Sequence, residues 1–69
     1  MTKFPERLKA ARSASGKKQR EVAEALGMKL RGYQCYEMGE NEPNLEKLAV
    51  LARFLNVSAD YLRGLTDKP

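Results

Sequence analysis

The sequence predicts an all-α fold of five short helices, and three observations support this prediction. Glycine and proline divide the 69-residue chain into short blocks, as they do at helix ends. Within the blocks, apolar residues recur three or four positions apart, which is the helical spacing. No alternating run of β-branched residues marks a strand. The length suits one domain, residues 1–69, with its core in about 4–66.

The first helix is predicted to include Pro5, because proline suits a first helical turn, and to run to Ser15. Gly16 is expected to end it, since glycine adopts the left-handed conformation of helix C-caps. The second helix is predicted over residues 19–26 and ends at Gly27. The apolar positions of these two helices are Phe4, Leu8 and Ala11, then Val22, Ala23 and Leu26.

The third helix is predicted to run from about Lys29 to Met38 and to end at Gly39, before a polar loop at 40–43. Residues three apart on a helix share a face. One face is therefore expected to point inward and the other outward. The inward positions are Tyr33 and Tyr36, and the outward positions are Arg31, Gln34, Cys35 and Met38.

The fourth helix is predicted over residues 45–55, because Asn44 is a good N-cap and Asn56 can take the left-handed conformation that ends a helix. Its apolar stripe is broad, so we expect it to pack on several sides near the centre of the fold. Ser58 is predicted to cap a short fifth helix that Gly64 ends. The stripe comprises Leu45, Leu48, Ala49, Leu51, Ala52, Phe54 and Leu55.

The positive charge lies in the first part of the chain. The net charge is +4; residues 1–39 carry nine Lys and Arg against four Asp and Glu, and residues 40–69 carry four against five. A one-sided basic surface is typical of proteins that bind a polyanion. The alternative is a solvated surface that only keeps the protein soluble.

Composition argues against an enzyme. Histidine is absent, which removes the commonest general base and metal ligand, and no zinc-ligand spacing or phosphate-binding glycine loop occurs. We therefore expect no cofactor. The single cysteine, Cys35, suits a reducing interior. No apolar run reaches the roughly 18 residues of a membrane span, and residues 1–6 lack the apolar segment of a signal peptide. We expect a cytoplasmic location and no membrane partner.

Three motifs occur in series: Gln-x-x-x-Ala-x-x-x-Gly at 19–27, Tyr-x-x-Tyr-Glu-x-Gly at 33–39 and Pro-Asn-Leu-x-x-Leu at 43–48. Together they resemble the lambda-repressor and Cro family, also called the xenobiotic-response-element family. Residues 56–64 are similar to the fifth helix of its bacterial and prophage members. The resemblance covers roughly residues 4–66. It implies a lambda-repressor-like domain with a helix-turn-helix at helices 2 and 3, in which helix 3 enters the DNA major groove.

The resemblance implies four base-contacting positions on the third helix. Arginine can make a bidentate contact to guanine and glutamine to adenine, and a small side chain can touch a thymine methyl. The alternative for Arg31 and Gln34 is an ordinary solvated helix face, and for Cys35 a redox switch. Leu30 either touches a thymine methyl or folds into the core. The positions are Leu30, Arg31, Gln34 and Cys35.

Phosphate contacts are expected around this helix, because such contacts position a protein on the duplex. The resemblance implies that Gln19, at the start of the second helix, binds a phosphate and braces the reading helix; the alternative is that it caps its own helix. The other expected phosphate contacts are Lys17, Lys18, Lys29, Met38 and Asn41.

Architectural features complete the prediction. The resemblance implies a partly buried ion pair between Arg12 and Glu37 that locks the first helix to the third. The family usually places Ser or Thr where Lys29 precedes the third helix. Gly32 inside that helix costs about 1 kcal/mol relative to alanine. It either permits a close approach of the second helix or provides local flexibility.

The leading hypothesis is a transcriptional repressor or regulator that binds a palindromic operator in double-stranded DNA as a homodimer. Its two reading helices would then lie about 34 Å apart. The C-terminal apolar residues either form the dimer patch or only close the core. The second hypothesis is an antitoxin or adaptor that contacts another protein through the acidic segment 40–46. The patch residues are Val57, Tyr61, Leu62 and Leu65.

Overall fold

The computed structural model describes residues 3–69 and contains five helices in this range. The helices are α1 (Phe4–Ser15), α2 (Gln19–Ala25), α3 (Leu30–Met38), α4 (Leu45–Leu55) and α5 (Ala59–Arg63). No strand occurs among residues 3–69. The predicted all-α fold of five helices is therefore confirmed. Met1 and Thr2, which we included in the predicted domain, lie outside the described residues.

None of the helices described between residues 3 and 69 is both long enough and apolar enough to cross a membrane.

The helix ends follow the local capping residues closely. The side chain of Asn44 accepts a hydrogen bond from the backbone N–H of Lys47 at 2.8 Å, and Ser58 accepts from Tyr61 at 2.9 Å. Asn56 has φ of 57°, the left-handed conformation that closes α4. These caps satisfy backbone groups that the helix itself leaves unpaired, and the predicted ends of α4 and α5 are confirmed.

Two ends around the central turn differ from the prediction by one residue. Leu26 is the C-cap of α2 rather than its last residue. Lys29 precedes α3 with extended backbone (ψ 152°), and its side chain makes no capping hydrogen bond. Lysine has no side-chain acceptor to offer the free amides of the first turn, so α3 begins without the Ser or Thr cap.

The core lies where α1 packs against α3, α4 and α5, and where α2 packs against α3 and α4. Burying this apolar surface is the main source of stability for so short a chain. Consequently α3 is held from both sides by α1 and α2, with one face left open. The side chains of Leu8, Val22, Tyr33, Leu51 and Leu62 are fully buried.

The apolar stripe of α4 is narrower than predicted. Leu48, Leu51 and Leu55 are buried, but Leu45 is 79% exposed and Ala49 is also exposed. Leu45 is the first residue of α4, and it lines an open groove rather than the core. The prediction that the whole stripe is covered is therefore wrong for these two residues.

The residues after α5 are held against α1 by Arg7. Its guanidinium donates to the carbonyl oxygens of Tyr61 (2.9 Å) and Thr66 and to the carboxylate of Asp67 (2.5 Å). The same group lies 4.5 Å from the centre of the Tyr61 ring, within the range of a cation–π interaction. This set of contacts links the two ends of the described chain.

Candidate nucleic-acid interface

The connection between α2 and α3 is a tight turn centred on Gly27, which has φ of 67°. The backbone N–H of Gly27 donates to the carbonyl of Glu24 at 3.0 Å, and that of Met28 to Ala23 at 2.9 Å. A side chain at φ above zero is strained, so glycine suits this position. Two helices joined by such a turn have the form of a helix-turn-helix.

The inner face of α3 is anchored by two tyrosines, as predicted. Tyr33 is fully buried and Tyr36 is 6% exposed. Their ring centroids are 6.3 Å apart, and the Tyr36 ring meets Phe4 of α1 at 6.5 Å, both edge to face. Aromatic pairs in this geometry add to the stability that burial alone provides. The rotation of α3 about its axis is therefore fixed.

The outer face of α3 lies at the surface. Arg31 is exposed and Met38 is 60% exposed, whereas Gln34 and Cys35 are half-buried. Leu30 is also half-buried and does not belong to the core cluster. The structure therefore does not favour the alternative in which Leu30 folds into the core, and contact with a thymine methyl stays a prediction. Whether these side chains contact bases stays a prediction.

Three of the expected phosphate contacts lie at the protein surface. Lys18, Lys29 and Asn41 are exposed. The ion pairs within residues 3–69 involve only the cations at positions 3, 7 and 12, so Lys18, Lys29 and Arg31 have no acidic partner within that range. Unpaired cations beside an exposed helix face create the positive potential that attracts a polyanion.

Lys17 differs from the other lysines. Its ammonium nitrogen lies 4.9 Å from the centre of the Phe54 ring of α4, which is cation–π distance. Its backbone carbonyl accepts a hydrogen bond from Arg12 at 3.0 Å. The charge of Lys17 is thus directed toward α4.

A group of polar side chains, which we call the Glu37 cluster, lies beneath the reading helix. Glu37 is 5% exposed. Its carboxylate accepts hydrogen bonds from Arg12 Nε (2.6 Å), the Tyr33 hydroxyl (2.5 Å) and Gln19 Nε2 (3.0 Å). The Oε1 atom of Gln19 in turn accepts from Gln34 Nε2 at 3.1 Å. The Arg12–Glu37 ion pair is therefore present in the structure, within a larger network.

The electrostatics of this cluster favour an ionised carboxylate. Burial raises the pKa of Glu37, but hydrogen bonds from Arg12, Tyr33 and Gln19 outweigh it, and the pKa is lowered from its ordinary value of 4.5. The hydrogen bond to Glu37 raises the pKa of Arg12. Burial, followed by the contact with Glu37, raises the pKa of Tyr33. Glu37 is therefore a charged acceptor and Tyr33 a neutral donor at neutral pH.

Sequence reasoning missed two contacts of this cluster, those that Tyr33 and Gln19 make with Glu37. The inward position of Tyr33 was predicted, but not that its hydroxyl donates to Glu37. Gln19 does not cap α2: its amide donates to Glu37 and accepts from Gln34. The Glu21 side chain accepts from the backbone N–H of Lys18 at 2.8 Å. The available signal was the four-residue spacing of Tyr33 and Glu37, which puts them on one face of a helix.

The thiol of Cys35 is not activated. Desolvation raises its pKa, and the neighbouring Glu40 carboxylate raises it further, while Arg31 acts in the opposite direction. A reactive cysteine needs a lowered pKa, because the thiolate is the nucleophile. The redox-switch alternative is therefore disfavoured.

Two expectations require correction. Leu62, which we placed in the dimer patch, is fully buried and cannot touch a partner. Val57 and Tyr61 pack against the core, and of the four predicted patch residues only Leu65 is well exposed, at 65%.

The second correction concerns Gly32. A Cβ atom added at Gly32 would meet the Met28 methyl carbon at 3.0 Å. The close neighbour of Gly32 is thus the turn, not α2.

Comparison with known proteins decides the family. A helix-turn-helix family model matches residues 8–62, which include α2, the turn and α3. The chain belongs to the helix-turn-helix family. The predicted resemblance to lambda-repressor-like proteins is thereby confirmed.

Several bacterial and phage regulators share this helix-turn-helix sequence. The SPbeta prophage-derived uncharacterized HTH-type transcriptional regulator YonR of Bacillus subtilis is 44% identical over 59 residues, which is 86% of this chain and 55% of the relative. The cryptic phage CTXphi transcriptional repressor RstR of Vibrio cholerae is 40% identical over 62 residues, 90% of this chain and 55% of the relative. The chain spans about half the length of these relatives.

The fold also matches a solved structure. The crystal structure of a transcriptional regulator from Listeria innocua superimposes with a TM-score of 0.86 at 32% identity, covering 100% of this chain and 64% of that one. The arrangement of the five helices is therefore that of a known transcriptional regulator.

Proposed function

We propose that this chain is the sequence-specific DNA-binding domain of a transcriptional repressor or related regulator, reading an operator through the major groove with α3. The observation that carries the proposal is the two-sided character of α3. Its tyrosines are buried, while Arg31 is exposed, and the exposed Lys18 and Lys29 have no acidic partner within residues 3–69. A helix fixed on one side and polar on the other is what base reading requires.

The proposed division of roles follows from these positions. Four side chains of α3 face base edges, and the groups around them contact the phosphate backbone of the DNA. The base-facing side chains are those of Arg31, Gln34, Cys35 and Leu30. The residues of this second group are Gln19, Lys18, Lys29, Met38 and Asn41. The proposed role is non-catalytic. Because the relatives are bacterial and phage regulators, it would be carried out in the bacterial cytoplasm, where the operator DNA lies.

The working unit we propose is a homodimer on a palindromic site, since one reading helix contacts too few bases for tight recognition. Leu65, at 65% exposed, and Leu45, at 79%, are the two most exposed large apolar side chains of residues 3–69. They line one groove with Phe4 and Pro43. These residues replace the buried Leu62 as the centre of the proposed dimer patch.

The first test is selection of bound duplexes from a random pool, followed by titration of the recovered site at several salt concentrations. Affinity should fall steeply as salt rises, because bound phosphates release counterions. The variant Arg31→Ala should lose about 1–3 kcal/mol of binding free energy and relax one base position. Arg53→Ala, which removes an exposed arginine of α4, is the matched control and should bind as the unmodified protein does.

The second test addresses the dimer. The variant Leu65→Glu should leave the fold intact and weaken binding to the full palindrome more than binding to a single half-site. Equal losses on both duplexes would remove the dimer patch from the proposal.

An antitoxin or adaptor role remains the second candidate. The acidic side chains of the loop and of the start of α4, at positions 40, 42 and 46, are exposed, and Glu42 lines the same groove. Failure to select any duplex would favour this candidate.

A further inference from the structure

We propose that Glu37, buried beneath α3, sets the base preference of Gln34 through Gln19, so that Gln34 selects adenine. This inference rests on the proposed DNA-binding function. It assigns a positioning role in recognition to a carboxylate that is 5% exposed. Three steps lead from the carboxylate to the base.

The first step fixes the orientation of the Gln19 amide. An ionised carboxylate can only accept hydrogen bonds, so the end of an amide that faces it must be the NH₂ end. Gln19 Nε2 lies 3.0 Å from Glu37 Oε1. Its carbonyl oxygen, Oε1, is therefore directed away from Glu37 and toward Gln34. Without Glu37, either end of the amide could point this way.

The second step fixes the orientation of the Gln34 amide. Gln34 Nε2 donates to Gln19 Oε1 at 3.1 Å. Turning the Gln34 amide over would bring two carbonyl oxygens to this distance, leaving both without a donor. One N–H of Gln34 is consequently used inside the protein. The groups left for a ligand are its Oε1 acceptor and its second N–H.

The third step matches these two groups to a base. In the major groove adenine presents a donor, N6, beside an acceptor, N7, whereas guanine presents two acceptors. Thymine offers one acceptor and a methyl group, and cytosine offers one donor. Only adenine satisfies both remaining groups of Gln34 at once.

Glu37 is itself held by two groups that do not reach the surface of α3. Arg12 Nε lies 2.6 Å from one carboxylate oxygen, and the buried Tyr33 hydroxyl lies 2.5 Å from the same atom. The other oxygen accepts from Gln19 at 3.0 Å and, at the longer distance of 3.4 Å, from Arg12 Nη2. Arg12 and Tyr33 thus hold the carboxylate in place, and its Oε1 atom directs the amide of Gln19.

The test compares base preferences at the selected operator. Dissociation constants are measured for duplexes carrying each of the four bases at every half-site position, for the unmodified protein and for Gln34→Ala, Gln19→Ala and the double variant. Gln34→Ala should flatten the preference at one position, where adenine was favoured by at least about fivefold. Gln19→Ala should flatten the same position. The double variant should show no further loss of preference there.

The variant Glu37→Gln tests the inference independently, because an amide at position 37 can both donate and accept and so can pair with either end of the Gln19 amide. Adenine preference should fall in this variant, with circular dichroism used to verify its helix content. The control is Arg31→Ala, which should flatten a different position and keep the adenine preference.

Several results would overturn the inference. These are a position for Gln34 that favours guanine, thymine or cytosine, or a Gln19→Ala variant that weakens all four duplexes by one factor. A Gln34→Ala variant without effect at any position also overturns it, while leaving the proposed function intact. Recovery of no duplex by the unmodified protein removes both the inference and the proposed function.

Discussion

Removing Arg12 should destabilise the protein strongly, because Glu37 would keep its charge in a buried site. Breaking a buried ion pair by deleting one partner costs about 3–5 kcal/mol. The Tyr33 hydroxyl and Gln19 Nε2 still donate to Glu37, so the loss for Arg12→Ala should lie near the lower end, about 3 kcal/mol. A domain of this size has only about 3–10 kcal/mol of stability in total. The variant should therefore lose a large fraction of the stability of the domain.

The assay is urea denaturation followed by circular dichroism, with the free energy of unfolding extrapolated to water. Arg20→Ala is the matched control, since Arg20 is an exposed arginine on the neighbouring helix, and its loss should stay within about 0.5 kcal/mol. In a Glu37→Gln background, Arg12→Ala should cost only about 1 kcal/mol, because no charge is left unpaired. A loss below about 1 kcal/mol in the unmodified background would refute the reasoning.

Three further predictions concern stability. Glu37 has a lowered pKa in the folded protein, so its contribution to the free energy of unfolding is complete above its pKa in the unfolded chain and is lost as the pH falls through its pKa in the folded protein. Urea titrations at decreasing pH should therefore show a smaller loss of unfolding free energy for Glu37→Gln than for the unmodified protein. Gly32→Ala should raise the free energy of unfolding by up to about 1 kcal/mol, because the flexible end of Met28 can move aside; a lower midpoint in urea would contradict this. Arg7→Ala should release the residues after α5. Hydrogen exchange would detect this as faster exchange of the backbone N–H of Leu65, which donates to the carbonyl of Asp60; unchanged exchange there would count against the proposal that Arg7 holds these residues.

The sequence determined the helices because their ends depend on nearby residues. Asn44 and Ser58 accept from amides three positions ahead, and Asn56 adopts its left-handed conformation locally. The same holds for the outward face of α3, since the spacing of Tyr33 and Tyr36 sets which side is buried. The three motifs at residues 19–27, 33–39 and 43–48 were also enough to indicate the family by resemblance.

Burial at the edges of the fold could not be read from spacing. Leu45 and Leu62 are both leucines at helical positions, yet one is 79% exposed and the other fully buried. A leucine is covered only where another helix lies over it. The first residue of α4 faces an open groove, whereas the short α5 packs against α1 and α4.

The sequence by itself determined the helical segments, the polar flank of α3 and the pairing of Arg12 with Glu37 that the resemblance implied. Only the tertiary structure decided how Glu37, Gln19 and Gln34 are joined. Gln19 and Glu37 are 18 positions apart, and Gln19 and Gln34 are 15 apart, so they meet only when α2 and α3 pack. The orientation of an amide depends on which atoms face it in space, and no local pattern along the chain contains that information.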